Sequence, residues 1–332
     1  MAKIRFRYID IAAGILLIYM MMEHIQVWFA GYYNPIFNYK NVMSFYMPFF
    51  FFKSGMLSKA IFSIEKLHRD LKHLIFPWVI TGVICHILTQ IHAYIEGSFM
   101  LREALLTSIK STYITGSFLQ DNPTWFLLSL FIVKYIGDYV VWYSEKRSIK
   151  VVPLIILCSV ACAYVHSIVN VAYCPMLVGN TFSGLAFYLL GYMIRNNYLN
   201  KWVGIVSVLA YIVCLFMPYP YVVMHWNKLE LGSYLLWYPA SLFGIITILG
   251  LSKQIEKYYA FPILNWAGKN ALYLLCVHWP FLICFSQLFL VDALKLNNPC
   301  LIFCINIIAC VICLPLLYMG YQTIKKRVVN DY

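Results

Sequence analysis

Apolar runs of about twenty residues, almost empty of acidic side chains, recur along the whole chain; residues 74–94 and 300–321 are two of them. A run of that length, wound as a helix, matches the roughly 30 Å hydrocarbon core of a bilayer. Inside lipid each backbone N–H and C=O must find its partner within its own segment, so such runs are expected to be helices. The strands of a β-barrel would instead alternate apolar and polar residues over short stretches. Composition agrees: 62% of the 332 residues are hydrophobic and only 11% are charged, where soluble domains carry roughly 25% charged residues. A soluble globule this apolar could not cover its own surface. The chain therefore reads as an all-α integral membrane protein, one domain over 1–332, with no soluble domain attached. No small-residue cleavage site follows the first apolar run, so that run is expected to stay as a span.

Ten spans are expected, at roughly 9–29, 43–62, 74–94, 124–143, 151–170, 176–194, 202–218, 234–252, 263–290 and 300–321. The second holds Pro48, Lys53 and Gly55, which suits a kinked or partly unwound helix. With the N-terminus in the cytoplasm, seventeen of the 25 Lys and Arg fall in cytoplasmic segments and five outside. That is the positive-inside bias, and it puts both termini in the cytoplasm. The net charge of +12 comes from residues scattered between apolar runs, so the expected partner is the bilayer and not nucleic acid. Most of the eleven cysteines lie inside apolar runs and read as small buried hydrophobes. Cys158 and Cys162 lack the companions of a zinc site, so no metal is expected. Residues 96–123 read as an amphipathic or re-entrant piece on the outer face.

Ionisable groups at bilayer depth are costly, and each calls for a reason. Glu23 and His24 close the first span. Neighbours on a helix point about 100° apart, so the two face different partners. His24 suits a general base or a structural hydrogen bond to another helix. Glu23 could tune a histidine, carry a proton or pair with a cation. Lys53 must pair, snorkel or bind an anion, and Glu23 is its candidate partner. Lys134 and Asp138, spaced i, i+4, can pair along one helix. His86, His92 and His278 suit packed, hydrogen-bonded positions. Arg69 and Lys72 share a face of a short helix after the second span, which suits either a phosphorylated cytosolic ligand or topology and headgroup attraction alone.

Four stretches carry a resemblance. They are Tyr8-Ile9-Asp10-Ile11-Ala12-Ala13-Gly14-Ile15, running on to His24; Met47-Pro48-Phe49-Phe50-Phe51-Phe52-Lys53-Ser54-Gly55, followed by Arg69, Lys72 and Phe76-Pro77-Trp78; Thr124-Trp125-Phe126-Leu127; and Trp266-Ala267-Gly268-Lys269-Asn270-Ala271-Leu272-Tyr273, ending at His278. In this order the set resembles the membrane acyltransferase 3 family, and its fucose O-acetylase-like subgroup looks closest. The resemblance implies transfer of an acyl group, usually acetyl from acetyl-CoA, to a hydroxyl of a sugar, cell-surface glycan or lipid-linked saccharide. It implies His24 as general base or acetyl carrier and matches the family's late histidine to His278; Glu23 and Lys53, singled out by their own charge at bilayer depth, are candidates beside the chemistry. It also implies Arg69 and Lys72 at the CoA phosphates; Trp125 and Asn270, which lie in the matching stretches, and Tyr46 are the candidates on the substrate side. No permanently bound cofactor is implied, only acetyl-CoA as co-substrate. The setting implied is a bacterial-type cytoplasmic membrane and polysaccharide modification. The chain departs from the family pattern at Ala13, where a cation is usual, at Tyr46, where His is frequent, and at Ala271, where Ser is common. A degenerate family member is one alternative. A transporter or flippase for a lipid-linked sugar is another, with Glu23, Lys53, Lys134 and Asp138 lining its path; such proteins often carry internal repeats, and none stands out here.

Overall fold

The computed structural model describes residues 6–28, 43, 45–59, 61–119, 123–168, 175–195, 201–216, 231–258 and 261–330. Every regular element among them is helical. In chain order they are α1 (Arg7–Trp28), α2 (Tyr46–Met56), α3 (Ile64–Asp70), a π-helical turn (Leu71–Ile75), α4 (Phe76–Ile95), α5 (Leu101–Thr115), α6 (Trp125–Arg147), α7 (Val152–Ile168), α8 (Met176–Ile194), α9 (Lys201–Leu215), α10 (Leu231–Tyr258), α11 (Pro262–Lys269), α12 (Ala271–Phe281), a second π-helix (Leu282–Ala293) and α13 (Pro299–Asn330).

Among the described residues, seven helical stretches are long and apolar enough to cross a membrane: Arg7–Ile25, Ile64–Ile95, Trp125–Arg147, Met176–Ile194, Leu236–Tyr258, Ala271–Ala293 and Cys300–Gly320. The other three expected spans are shorter helices of eleven (α2), seventeen (α7) and fifteen (α9) residues. Their outer faces suit lipid. Ile80, Ile84, Ile87 and Ile91 make one exposed stripe along α4 at helical spacing. A helix that turns such a stripe outward needs an apolar solvent.

Three expectations change in detail. Among the described residues of the span foreseen at 43–62 the helix is the short α2, and Tyr46, Met47, Pro48, Phe49, Phe51, Phe52, Gly55 and Met56 are all buried. Pro48 sits in the first turn, where its missing N–H costs nothing, so the proline starts a helix here and does not kink one. The span foreseen at 263–290 is two helices, because the chain turns at Asn270 between α11 and α12. The span foreseen at 74–94 extends back to Ile64 as one 32-residue helical stretch through the first π turn. Residues 96–123 contain α5, whose Leu101, Leu105, Ile109 and Tyr113 are exposed while Ser108 and Thr115 are buried. Gly116 ends it with φ +85°, a conformation open to glycine.

The core gathers around α2, which packs on α8, α1, α6 and α10. Phe49, Phe51 and Phe52 are fully buried there. Two glycines let α2 and α8 touch backbone to backbone: a Cβ on Gly55 would collide with the Tyr188 carbonyl, and one on Gly191 with the Phe52 carbonyl. Small-residue contacts of this kind are how helices associate where lipid removes the hydrophobic drive. The N-terminal half of α1 meets α11 in the same way, Gly14 against the Leu264 carbonyl and Gly268 against that of Asp10.

Candidate active site

The second half of α1 and the middle of α12 bring two histidines into contact. His24 Nδ1 lies 2.9 Å from His278 Nε2. The ring planes are 12° apart with centroids at 5.1 Å. So short a nitrogen–nitrogen separation makes this an edge-to-edge hydrogen bond in the plane of the rings and not a face stack. Trp279 packs edge-on against His24, with centroids at 5.2 Å and planes at 82°. His278 is fully buried.

The direction of this bond follows from its far end. His278 Nδ1 lies 2.8 Å from the carbonyl oxygen of Leu274, one turn back on α12. A carbonyl only accepts, so His278 Nδ1 carries the hydrogen. In the neutral ring Nε2 then holds the lone pair and accepts from His24 Nδ1–H. Neutral His24 in turn holds its own lone pair at Nε2. The chain Leu274 O, His278, His24 thus selects one tautomer of His24, the task a second-shell acceptor performs for a catalytic imidazole. It also removes His278 as a donor to a developing oxyanion, since Nδ1–H is engaged and Nε2 accepts.

Glu23 faces a different neighbour. Tyr19, one turn back on α1, donates its hydroxyl to Glu23 Oε1 at 3.0 Å. The Tyr46 hydroxyl, from the first residue of α2, also faces this carboxylate, and the Tyr19 and Tyr46 rings lie 6.1 Å apart. Trp125 is buried at the start of α6. Its neighbour Phe126 packs on Phe50 and Phe51, the turn of α2 that follows Tyr46. His24, His278, Glu23, Tyr46 and Trp125 therefore belong to one end of the bundle.

Two foreseen residues lie elsewhere. Lys53 Nζ is 3.7 Å from Asp10 Oδ1, in a mostly buried pair. Asp10 stands fourteen residues before His24 on the same helix, about 21 Å of rise, so the structure does not bring Lys53 to the histidines. The partner expected for Lys53 was Glu23; it is Asp10, because α2 runs alongside α1 and carries Lys53 away from Glu23. Ala13, where the resemblance expects a cation, is fully buried in the segment where α11 closes on α1, which leaves no room for a long side chain. Asn270 caps the turn between α11 and α12 and donates its amide to the Trp266 carbonyl at 2.9 Å. It precedes His278 by eight residues, roughly 12 Å along the helix.

Arg69 and Lys72 are exposed, at the end of α3 and in the π turn. Nine residues on from Lys72, about 14 Å of rise, the Thr81 side chain faces the Cys276 thiol, two residues before His278. The basic pair and the histidines are thus joined by the α4–α12 contact. The expected pairing of Lys134 with Asp138 along α6 is replaced by pairing across helices. Lys134 meets Asp70 at 3.4 Å, and Asp138 takes Lys66. His86 and His92, expected in structural positions, are both held by neighbours. His86 Nδ1 lies 3.1 Å from the Leu119 carbonyl and 2.9 Å from Ser108 Oγ. The carbonyl puts the hydrogen on Nδ1, so this histidine does not activate Ser108. His92 meets Asp292 at 2.9 Å.

Tyr19, Leu274, Trp279 and Asp10 were not foreseen as part of this arrangement. Tyr19 had a readable signal, its i, i+4 spacing to Glu23. The Leu274 carbonyl had none, since any residue supplies one.

A family model described as an acyltransferase domain, of the acyltransferase 3 type, matches residues 6–318. No curated protein and no solved structure matches the chain.

Proposed function

Since this chain belongs to the acyltransferase 3 family, we propose that it moves acetyl from acetyl-CoA to a hydroxyl of a sugar, cell-surface glycan or lipid-linked saccharide. The observation that carries the reading is the hydrogen bond from His24 to His278, which leaves His24 with a lone pair on Nε2 at the end of a membrane-spanning helix.

That lone pair takes the proton of the acceptor hydroxyl as its oxygen attacks the thioester carbonyl carbon. The tetrahedral adduct collapses, the carbon–sulfur bond breaks, and His24 returns the proton to the departing sulfur. The products are an acetyl ester and free CoA. While His24 is positively charged, its Nδ1–H points at the lone pair of His278, which favours the cation. In a two-step transfer the same nitrogen would attack the thioester and carry the acetyl group. Trp125 and Trp279 supply N–H groups at this end of the bundle for the developing oxyanion. Glu23, held by Tyr19, and Tyr46 present a carboxylate and aromatic faces suited to a saccharide. Lys53 has a structural task in this reading, as the partner of Asp10, and so does Asn270 at its helix corner.

The donor docks from the cytoplasm, its 3′-phosphate and pyrophosphate on Arg69 and Lys72, and its thioester arm reaches inward beside α4 and α12. Ten spans with both termini cytoplasmic, in a bacterial-type cytoplasmic membrane, give Arg69 and Lys72 that access. The product places the chain in polysaccharide modification.

The test is chemical. Membranes containing the protein, incubated with acetyl-labelled CoA, should pass label into the saccharide fraction as an ester released by mild alkali. Label that is alkali-stable, or confined to free acetate, would contradict transfer to a hydroxyl.

A further inference from the structure

We propose that the crossed ion pairs Lys66–Asp138 and Lys134–Asp70 are positioning residues that set the register of α3 on α6 and so hold Arg69 and Lys72 at the phosphates of the acyl donor. This rests on the reading of Arg69 and Lys72 as the phosphate site.

The sequence places Lys66 and Asp70 one turn apart on α3, and Lys134 and Asp138 one turn apart on α6. Each helix thus offers a cation and an anion that could pair along its own surface. They pair between helices: Lys66 with Asp138, and Asp70 with Lys134 at 3.4 Å. The helices run antiparallel here, so a slide of one turn in one direction sets Lys66 against Lys134. The opposite slide sets Asp70 against Asp138. Either slide turns attraction into repulsion between poorly hydrated charges, where like-charge contact is most costly. The side chains are little exposed, 13% and 4% in one pair and 22% and 18% in the other. Burial of this kind adds little net stability, but it discriminates strongly between arrangements.

Asp138 is the fixed point. Besides Lys66 it accepts from the Ser58 hydroxyl at 2.8 Å and the Tyr188 hydroxyl at 2.6 Å. The segment just after α2 and helix α8 therefore anchor the same carboxylate. Ser58 is tied further, its carbonyl accepting from Arg195 at 2.9 Å.

The π turn then aims the basic pair. Lys66, Asp70, Leu74 and Trp78 all face inward, at steps of four residues. On an uninterrupted α-helix each such step drifts by about 40°. The wider π turn over Leu71–Ile75 takes up that drift, so the ionic face of α3 and the apolar face of α4 share one side. Arg69 and Lys72 project from the other, exposed side. A slip of α3 would carry them off by a full turn, about 5.4 Å.

The experiment uses the full-length protein in nanodiscs with two donors, acetyl-CoA and S-acetyl-pantetheine, which has neither the 3′-phosphate nor the pyrophosphate. Asp70→Asn, Lys134→Gln and the double variant should each raise KM for acetyl-CoA by roughly tenfold. The double should be no worse than either single, since both remove one interaction. Lys134→Arg, which keeps the pair, should stay near wild type. KM for S-acetyl-pantetheine and kcat with either donor should hardly move. Unchanged KM for acetyl-CoA in the neutral variants, while Arg69→Glu/Lys72→Glu raises it, would overturn the positioning role alone. An equal rise with both donors would overturn it too, by showing general disruption. If Arg69→Glu/Lys72→Glu leaves KM for acetyl-CoA unchanged, the phosphate site itself is wrong and this proposal falls with it.

Discussion

His24 Nδ1 donates to His278 Nε2 across 2.9 Å, and His278 can accept only because its other nitrogen is committed to the Leu274 carbonyl. One backbone oxygen on α12 thereby determines which nitrogen of a histidine on α1 carries a lone pair. The relation is directional, and so are its consequences.

Replacing His278 should affect the rate step and not donor binding. His278→Ala frees the tautomer of His24 and strands its Nδ1–H in a buried site. We expect kcat to fall on the order of 10²-fold, with KM for acetyl-CoA little changed. His278→Gln, whose amide oxygen can accept, should recover part of that loss. The double variant His24→Ala/His278→Ala should be no slower than His24→Ala, because the two residues act as a unit. Initial rates on membranes matched for protein content check all three.

The Lys53–Asp10 pair should matter to folding. Removing one partner of a mostly buried pair costs about 3–5 kcal/mol, whereas removing both is often mild. Lys53→Met should lower the melting temperature in detergent markedly, and Lys53→Met/Asp10→Asn should return it towards wild type. A double variant as unstable as the sum of the singles would show that the two do not act as a pair.

The α2–α8 contact has no room for a methyl group. Gly55→Ala and Gly191→Ala each push a Cβ into a carbonyl on the facing helix. Overpacking of this kind costs about 1–3 kcal/mol, and backbone yields less readily than a side chain. Both variants should melt lower than wild type. Gly204→Ala, on α9, meets nothing within 4 Å and should be neutral in the same measurement.

Donor capture by Arg69 and Lys72 should be sensitive to salt. Both are exposed, and exposed charges are screened over about 10 Å at 0.1 M ionic strength. KM for acetyl-CoA should rise with added salt in the wild-type protein. The dependence should flatten in Arg69→Gln/Lys72→Gln. A slope unchanged by the variant would return the two residues to a topological role.

Much of this was legible in the sequence where a residue's own chemistry decides its fate. Long apolar runs had to become helices, and the polar residues worth attention, His24, Glu23, Lys53 and His278, were those whose burial demands a partner. Which partner was not legible. Lys53 could be assigned to Glu23 or Asp10 only by knowing how α2 lies along α1. Lys134 and Asp138 looked like an i, i+4 pair because spacing along one helix is all a sequence displays; Asp70 and Lys66 won because the antiparallel packing of α3 on α6 sets them directly opposite. The break at Asn270 shows in the sequence only as the short step Gly268-Lys269-Asn270 between apolar residues, which a single span over 263–290 absorbs. The tautomer lock was beyond reach, because its decisive acceptor is a main-chain carbonyl.

The most direct measurement follows acetyl transfer from labelled acetyl-CoA into alkali-labile saccharide ester, in membranes holding equal amounts of wild-type, His24→Ala and His278→Ala protein. The expected result is robust label for wild type, background for His24→Ala and a small residual rate for His278→Ala, all with unchanged insertion. Label in His24→Ala equal to wild type would contradict the account.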